Sequence, residues 1–225
     1  MTILKFKLII LLTSISLIYG FSSIKNKQPE SEVELGKMLF FEKKLSKDNS
    51  ISCASCHKPE YAFADTAAFS KGIKGRIGFR NAPSIMNMKD RQIYFYDGRA
   101  NSLEDQVHFP IEDTLEMSLS FEIAVKKIEN DKIYKKYFLK IYAEKPNGTN
   151  ITKAIAAFER TLETSNTPFD DYMQDKENTM AESAIRGRRI FMSEKAKCFD
   201  CHFGPDLTGD EFRNIGLYNG IELID

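Results

Sequence analysis

Apolar residues recur at helical spacing in several separate stretches of the chain, and polar runs divide them. "SEVELGKMLFFEKKLS" places Leu35, Met38, Leu39 and Phe40 on one stripe, which predicts a short amphipathic helix. The pattern fails between Ala62 and Asn87, where Gly72, Gly75 and Gly78 break any period; this predicts a loop wrapped near a site. A second helix is expected to start near Asn101 or Ser102, with Asp105 in its first turn, and to stop at Pro110. "LSFEIAVKKIENDKIYKKYFLKIYAEK" reads as two helices with Ile123, Ile128, Tyr134, Phe138 and Ile141 on their apolar faces. Gly148 and Asn150 mark the next boundary, with Asn150 capping "ITKAIAAFERTLET", whose Ile151, Ile155, Phe158 and Leu162 share a face. "SNTPFDDYMQDKENT" reads as a linker, and "MAESAIRGRRIFMS" as a last helix. No strand pattern of consequence appears, so the expected fold class is all-α.

The first twenty residues stand apart. Lys5 and Lys7 precede "LIILLTSISLIYG", a basic start and short apolar core that together read as a signal peptide over residues 1–20. An uncleaved anchor is the alternative, although the run is short for a bilayer, which takes about 20 residues. The expected location is the periplasm. Hydrophobic residues make up 42% of the chain, enough to build a core. Charge is balanced at 32 basic and 32 acidic residues with no basic block, which argues against nucleic acid as a partner.

All four cysteines and two of the three histidines fall in two quintets, "CASCH" at Cys53, Cys56 and His57, and "CFDCH" at Cys198, Cys201 and His202. Disulfides are permitted by export, but they need no histidine after each pair. A four-thiolate zinc site normally draws its pairs from nearer positions in sequence. A thioredoxin-like pair accounts for one Cys-x-x-Cys but not two. Cys-x-x-Cys-His accounts for both quintets: two thiols attach a c-type haem and the next residue reaches its iron. Two covalent haems follow. Each quintet comes after a helix, and "ELGKMLFFE" and "IRGRRIFMS" both set Gly four residues before Phe (Gly36 and Phe40, Gly187 and Phe191). The expected organisation is therefore two cytochrome-c-like domains, 31–165 and 166–225. Met38 is read as core rather than as an iron ligand.

An enzyme needs a polar group above an open iron position. Between Tyr94 and Ser118, Glu116 stands out between Leu115 and Met117, although pattern alone favours a solvated loop acid. "LGKMLFF", "SCASCH", "FRNAPSIMN", "YFYDGRANSLEDQ", "LEM" soon after Pro110, "AIAAFERTLETSNTPFDDY" and "CFDCHFGPDLTGDEFRNIGL" together resemble the bacterial di-haem cytochrome c peroxidase/MauG family.

The resemblance implies that the haem on Cys53, Cys56 and His57 meets hydrogen peroxide. The haem on Cys198, Cys201 and His202 would receive electrons from a small cytochrome c or copper protein. Glu116 falls on the family's distal glutamate and Gln106 on its active-site glutamine. Asn81 falls on an asparagine that contributes to an inter-haem calcium site in relatives. Tyr96 takes the slot where relatives place an inter-haem tryptophan, and this chain has no Trp. Residues 62–80 hold no histidine, so a capping histidine that many relatives carry there is missing. The resemblance thus implies a peroxidatic haem that needs no reductive activation, as in the MauG-like branch. His108, about 200° round a helix from Gln106, is expected to face elsewhere. Relatives continue beyond Asp225, so the second domain is expected to be partial. A MauG-like oxidase and a non-catalytic electron-transfer module are the competing readings. The oligomeric state stays open, a homodimer among the options.

Overall fold

Ser31 starts the first helix, α1 (Glu32–Phe40): its hydroxyl accepts from the Glu34 amide, and Glu32 and Glu34 place negative charge at the N-terminal end. The computed structural model describes residues 28–177, 179–204, 206–209 and 211–213. The expected signal peptide lies outside them. Packing separates Met1–Glu30 from Ser31–Asp225, and every element named below belongs to the second unit.

Two very short helices follow a long loop: α2 (Leu103–Gln106), capped by Ser102, and α3 (His108–Glu112). Pro110, expected as a stop, lies inside α3. The chain re-enters the helix at His108, so Pro110 sits in a first turn, where its missing N–H has no intrahelical partner to lose. Helices α4 (Phe121–Asn130) and α5 (Lys132–Tyr142) occur as expected, Asp131 capping α5 by accepting from the Ile133 and Tyr134 amides. Ile123 departs from its expected face and is 50% exposed, leaving Ala124 and Ile128 to pack.

Helix α6 (Gly148–Glu159) starts earlier than expected. Asn147 is the cap, and Asn150 answers it from the third helical position in a reciprocal pair of side-chain bonds. The expected linker contains a further helix, α7 (Pro168–Met173), capped by Thr167; α8 (Glu182–Phe191) precedes the second quintet. Among the described residues the regular structure is helical, and β pairing is limited to isolated bridges such as Tyr94 with Ala100.

The core forms where α1 lies on α6. A Cβ at Gly36 would stand 1.7 Å from the Ala154 carbonyl oxygen, so only glycine allows this approach. Leu35, Leu39, Ile111, Ala124, Ile128, Phe138, Ile151 and Ile155 pack around the contact, and Met38 joins them as core. A second cluster of Phe40, Phe158 and Leu162 takes in Phe63, Cys53 and Ala54, tying the helix pair to the first quintet. Gly187, the counterpart of Gly36, has no atom within 4 Å of where its Cβ would be.

Candidate functional site

Both quintets fold into the same local shape. Cys53–Ser55 and Cys198–Asp200 each form one 3₁₀ turn. The His57 amide donates to the Cys53 carbonyl at 2.9 Å, and the His202 amide to the Cys198 carbonyl at 3.0 Å. Each turn sets the two thiols and the imidazole on one short arc. No disulfide joins the four cysteines, and no group of three or more His, Cys, Asp or Glu among the described residues is arranged to hold a metal ion by itself.

The imidazoles are oriented from behind. His57 Nδ1 lies 3.0 Å from the Phe63 carbonyl and 3.2 Å from that of Pro83. His202 Nδ1 lies 3.1 Å from the Leu207 carbonyl. A carbonyl only accepts, so Nδ1 must donate, and Nε2 keeps the lone pair a metal needs. Burial also lowers the His57 pKa, favouring the neutral ring. The donor set and its tautomers fit haem attachment at both turns.

The loop after the first quintet closes over this arc. Asp65 accepts from Lys58 at 2.6 Å and from Ser70 at 2.7 Å. Farther on, the loop meets the turn that follows α3: the Ile73 amide donates to the Glu116 carbonyl at 2.9 Å, and Arg76 donates to that of Thr114 at 2.7 Å. A Cβ at Gly72 would be 1.8 Å from the Leu115 oxygen, so glycine is what lets the loop reach the acid.

Glu116 keeps an exposed surface. Its carboxyl is nevertheless pushed above the usual range, by loss of solvent first and by Asp113 second, with Arg99 opposing. Its charge reaches both thiols of the first quintet, raising the pKa of Cys53 and of Cys56, although burial is the larger cause for each. The acid expected from sequence thus acts electrostatically on the first attachment turn. Arg99 was not anticipated. It stacks on Phe95 at 3.6 Å, is held by Asp97 at 2.8 Å, and acts on Glu116.

The other expected residues are placed less decisively. Gln106 is half-buried at the end of α2, and its side chain makes no hydrogen bond among the described residues. Tyr96 is 60% exposed, with the Arg80 guanidinium 5.9 Å from its ring. Near it, the Phe212 ring closes on Gly98, joining the end of the described chain to the "YDGRAN" stretch. Asn81 spends its amide N–H on the Ala67 carbonyl at 2.8 Å. His108 lies on Phe121 with ring centres 3.9 Å apart. A second group that sequence did not single out is Glu159, the last residue of α6: it is buried, and its charge also acts on Cys53.

A family model described as di-haem cytochrome c peroxidase matches residues 30–178. The chain belongs to this family. It is 35% identical over 202 residues to a cytochrome c551 peroxidase of Nitrosomonas europaea, with 88% of this chain and 60% of the relative covered. It is 38% identical to the cytochrome c peroxidase Ccp of Escherichia coli, covering 83% of this chain and 40% of the relative. A methylamine utilization protein MauG of Methylorubrum extorquens is 34% identical, covering 88% and 56%. Among solved structures, a MauG-like protein associated with microbial copper homeostasis superposes with a TM-score of 0.72 at 28% identity, over 85% of this chain and 58% of that one. The chain thus spans between 40% and 60% of the length of these relatives. Family membership implies two c-type haems, and the two Cys-x-x-Cys-His turns are where this chain would hold them. No helix among the described residues is long and apolar enough to cross a membrane.

Proposed function

We propose that this member of the family is a periplasmic peroxidase, which reduces hydrogen peroxide to two waters with two electrons and two protons. The observation that supports the reading is Glu116: a carboxyl with a raised pKa whose charge acts on Cys53 and Cys56 and whose backbone is held by the loop at Gly72 and Ile73. Cys53 and Cys56 would hold a haem and His57 would offer it Nε2; when bound, that haem would supply the redox chemistry on peroxide. Glu116 takes a proton from one peroxide oxygen and returns it to the other, which leaves as water. Arg99 opposes the upward shift of that carboxyl. Gln106 assists as hydrogen-bond partner.

Electrons would come from a small cytochrome c or copper protein, enter on the Cys198, Cys201 and His202 side, and pass Tyr96. Residues 31–165 would form the peroxidatic domain and 166–225 part of the electron-transfer domain. An inter-haem calcium ion would draw on Asn81.

A second reading, a MauG-like oxidase acting on a protein or small organic substrate, is favoured by the MauG relatives and by the lack of histidine in residues 62–80. One assay separates the readings: peroxide-dependent oxidation of a reduced small cytochrome c by haem-loaded protein that was never pre-reduced. Immediate turnover is expected, falling by roughly 10²–10⁴-fold in Glu116→Gln. Absence of turnover in folded protein with both haems attached would overturn the peroxidase reading and leave the oxidase or the electron-transfer module.

A further inference from the structure

Glu159 occupies an expensive position. It is the last residue of α6, at the negative end of a helix, where a carboxylate is disfavoured. It is 6% exposed. Its side chain makes no hydrogen bond among the described residues, and its neighbour Arg160 is already engaged by Glu104 through two bonds of 2.8 Å. Phe158 and Leu162, on either side of it in sequence, belong to the same packed cluster as Cys53 and Ala54. A glutamine would fill this place at lower electrostatic cost, so packing does not explain the acid.

We infer that Glu159 is a positioning residue for the first haem site, binding a proton from solvent when an electron arrives at the group held by Cys53, Cys56 and His57. The charge balance is simple: one electron from the external redox protein, one proton from water, and a buried site whose net charge does not change. Three groups act on Glu159 or are acted on by it: Glu104 on α2, Arg160 beside it, and Cys53, whose sulfur no longer titrates once it is a thioether. Burial, with Glu104 adding and Arg160 opposing, pushes the Glu159 carboxyl up to about 8, within reach of neutral pH. The inference rests on haem attachment at the first turn and not on peroxide turnover.

The test is a redox titration of the haem-loaded full chain from pH 6 to 9, followed by visible absorption, with Glu159→Gln, Glu159→Asp and Glu116→Gln in parallel. The two haems should titrate as separate steps. One step should shift by about a factor of ten in its reduction equilibrium per pH unit over part of this range. That dependence should disappear in Glu159→Gln, survive in Glu159→Asp, and survive in Glu116→Gln. A pH-independent wild type, or a slope that Glu116→Gln removes and Glu159→Gln does not, would overturn the inference. Should Glu159→Gln fail to load haem, infrared difference spectra of the wild type and Glu116→Gln decide. A protonated-carboxyl band gained on reduction in both supports the inference; its absence from Glu116→Gln refutes it. A protein that shows the slope but turns over no peroxide would sink the peroxidase and leave the role of Glu159 intact.

Discussion

Asp65 shows how much the first site depends on a single loop carboxylate. Its side chain is only 5% exposed, and burial alone would raise its pKa. Hydrogen bonds from Lys58, Ser70 and the Ala67 amide outweigh that and hold it at about 2. Because the folded value lies below the unfolded value of about 3.9, the contribution is complete above pH 4 and is lost as pH falls toward 2. A shift of this size corresponds to about 2 kcal/mol. Asp65→Asn should therefore lower the urea unfolding free energy of the haem-loaded protein by about 2 kcal/mol at pH 7, and by much less at pH 2. An equal loss at both pH values would show that shape and not charge is what Asp65 supplies. The same substitution should disturb the iron's absorption spectrum, because Phe63, whose carbonyl orients His57, lies two residues before Asp65, and the Asp65 amide donates to the Ala82 carbonyl beside Pro83, whose carbonyl also faces His57.

At the scale of elements, the paired glycines make opposite predictions. Gly36→Ala forces a carbon against the Ala154 carbonyl, and α1 must move off α6; a cost of roughly 3 kcal/mol is expected. Gly187→Ala meets open space inside α8 and should stabilise by up to about 1 kcal/mol through helix propensity. Thermal unfolding of the two variants checks both signs, and a neutral Gly36→Ala would refute the close contact. The sequence likeness that pairs these glycines says nothing of this difference, because a close approach depends on what packs from elsewhere. The same limit explains which elements were legible. The stripe of Leu35, Leu39 and Phe40 reads directly as a helix, since periodicity is a local property. The start of α6 was misplaced because Asn147 and Asn150 are both good caps, and the structure uses each at its own end of one reciprocal pair. Thr167 and Pro168 form a sound start signal for α7 that its polar surroundings hid. The quintets were legible because haem attachment demands adjacent residues. Arg99 and Glu159 were not, because their reach to Glu116 and Cys53 comes from tertiary packing.

The whole molecule is unevenly built. Apart from Pro29, every buried apolar side chain described lies between Leu35 and Leu162; beyond Leu162 none of the described residues is a buried hydrophobic. Stability in the first stretch comes from α1 on α6 and the helices around them. From α7 onward it must come from other sources, and Ile190 and Phe212 each remain 65% exposed. A haem has a large apolar face, and covalent attachment at Cys198 and Cys201 would place that face where protein side chains are sparse. Loading should therefore matter more to the second stretch than to the first. Hydrogen exchange read by mass spectrometry makes this measurable, because protection tracks the free energy of local opening. In haem-free protein the amides of α1 and α6 should exchange slowly, and those of 182–207 within the shortest labelling time. On loading, protection at 182–207 should rise by at least tenfold, with a smaller gain in α1 and α6. The opposite order, with α1 and α6 gaining most, would mean that the first helix pair is itself built around its haem.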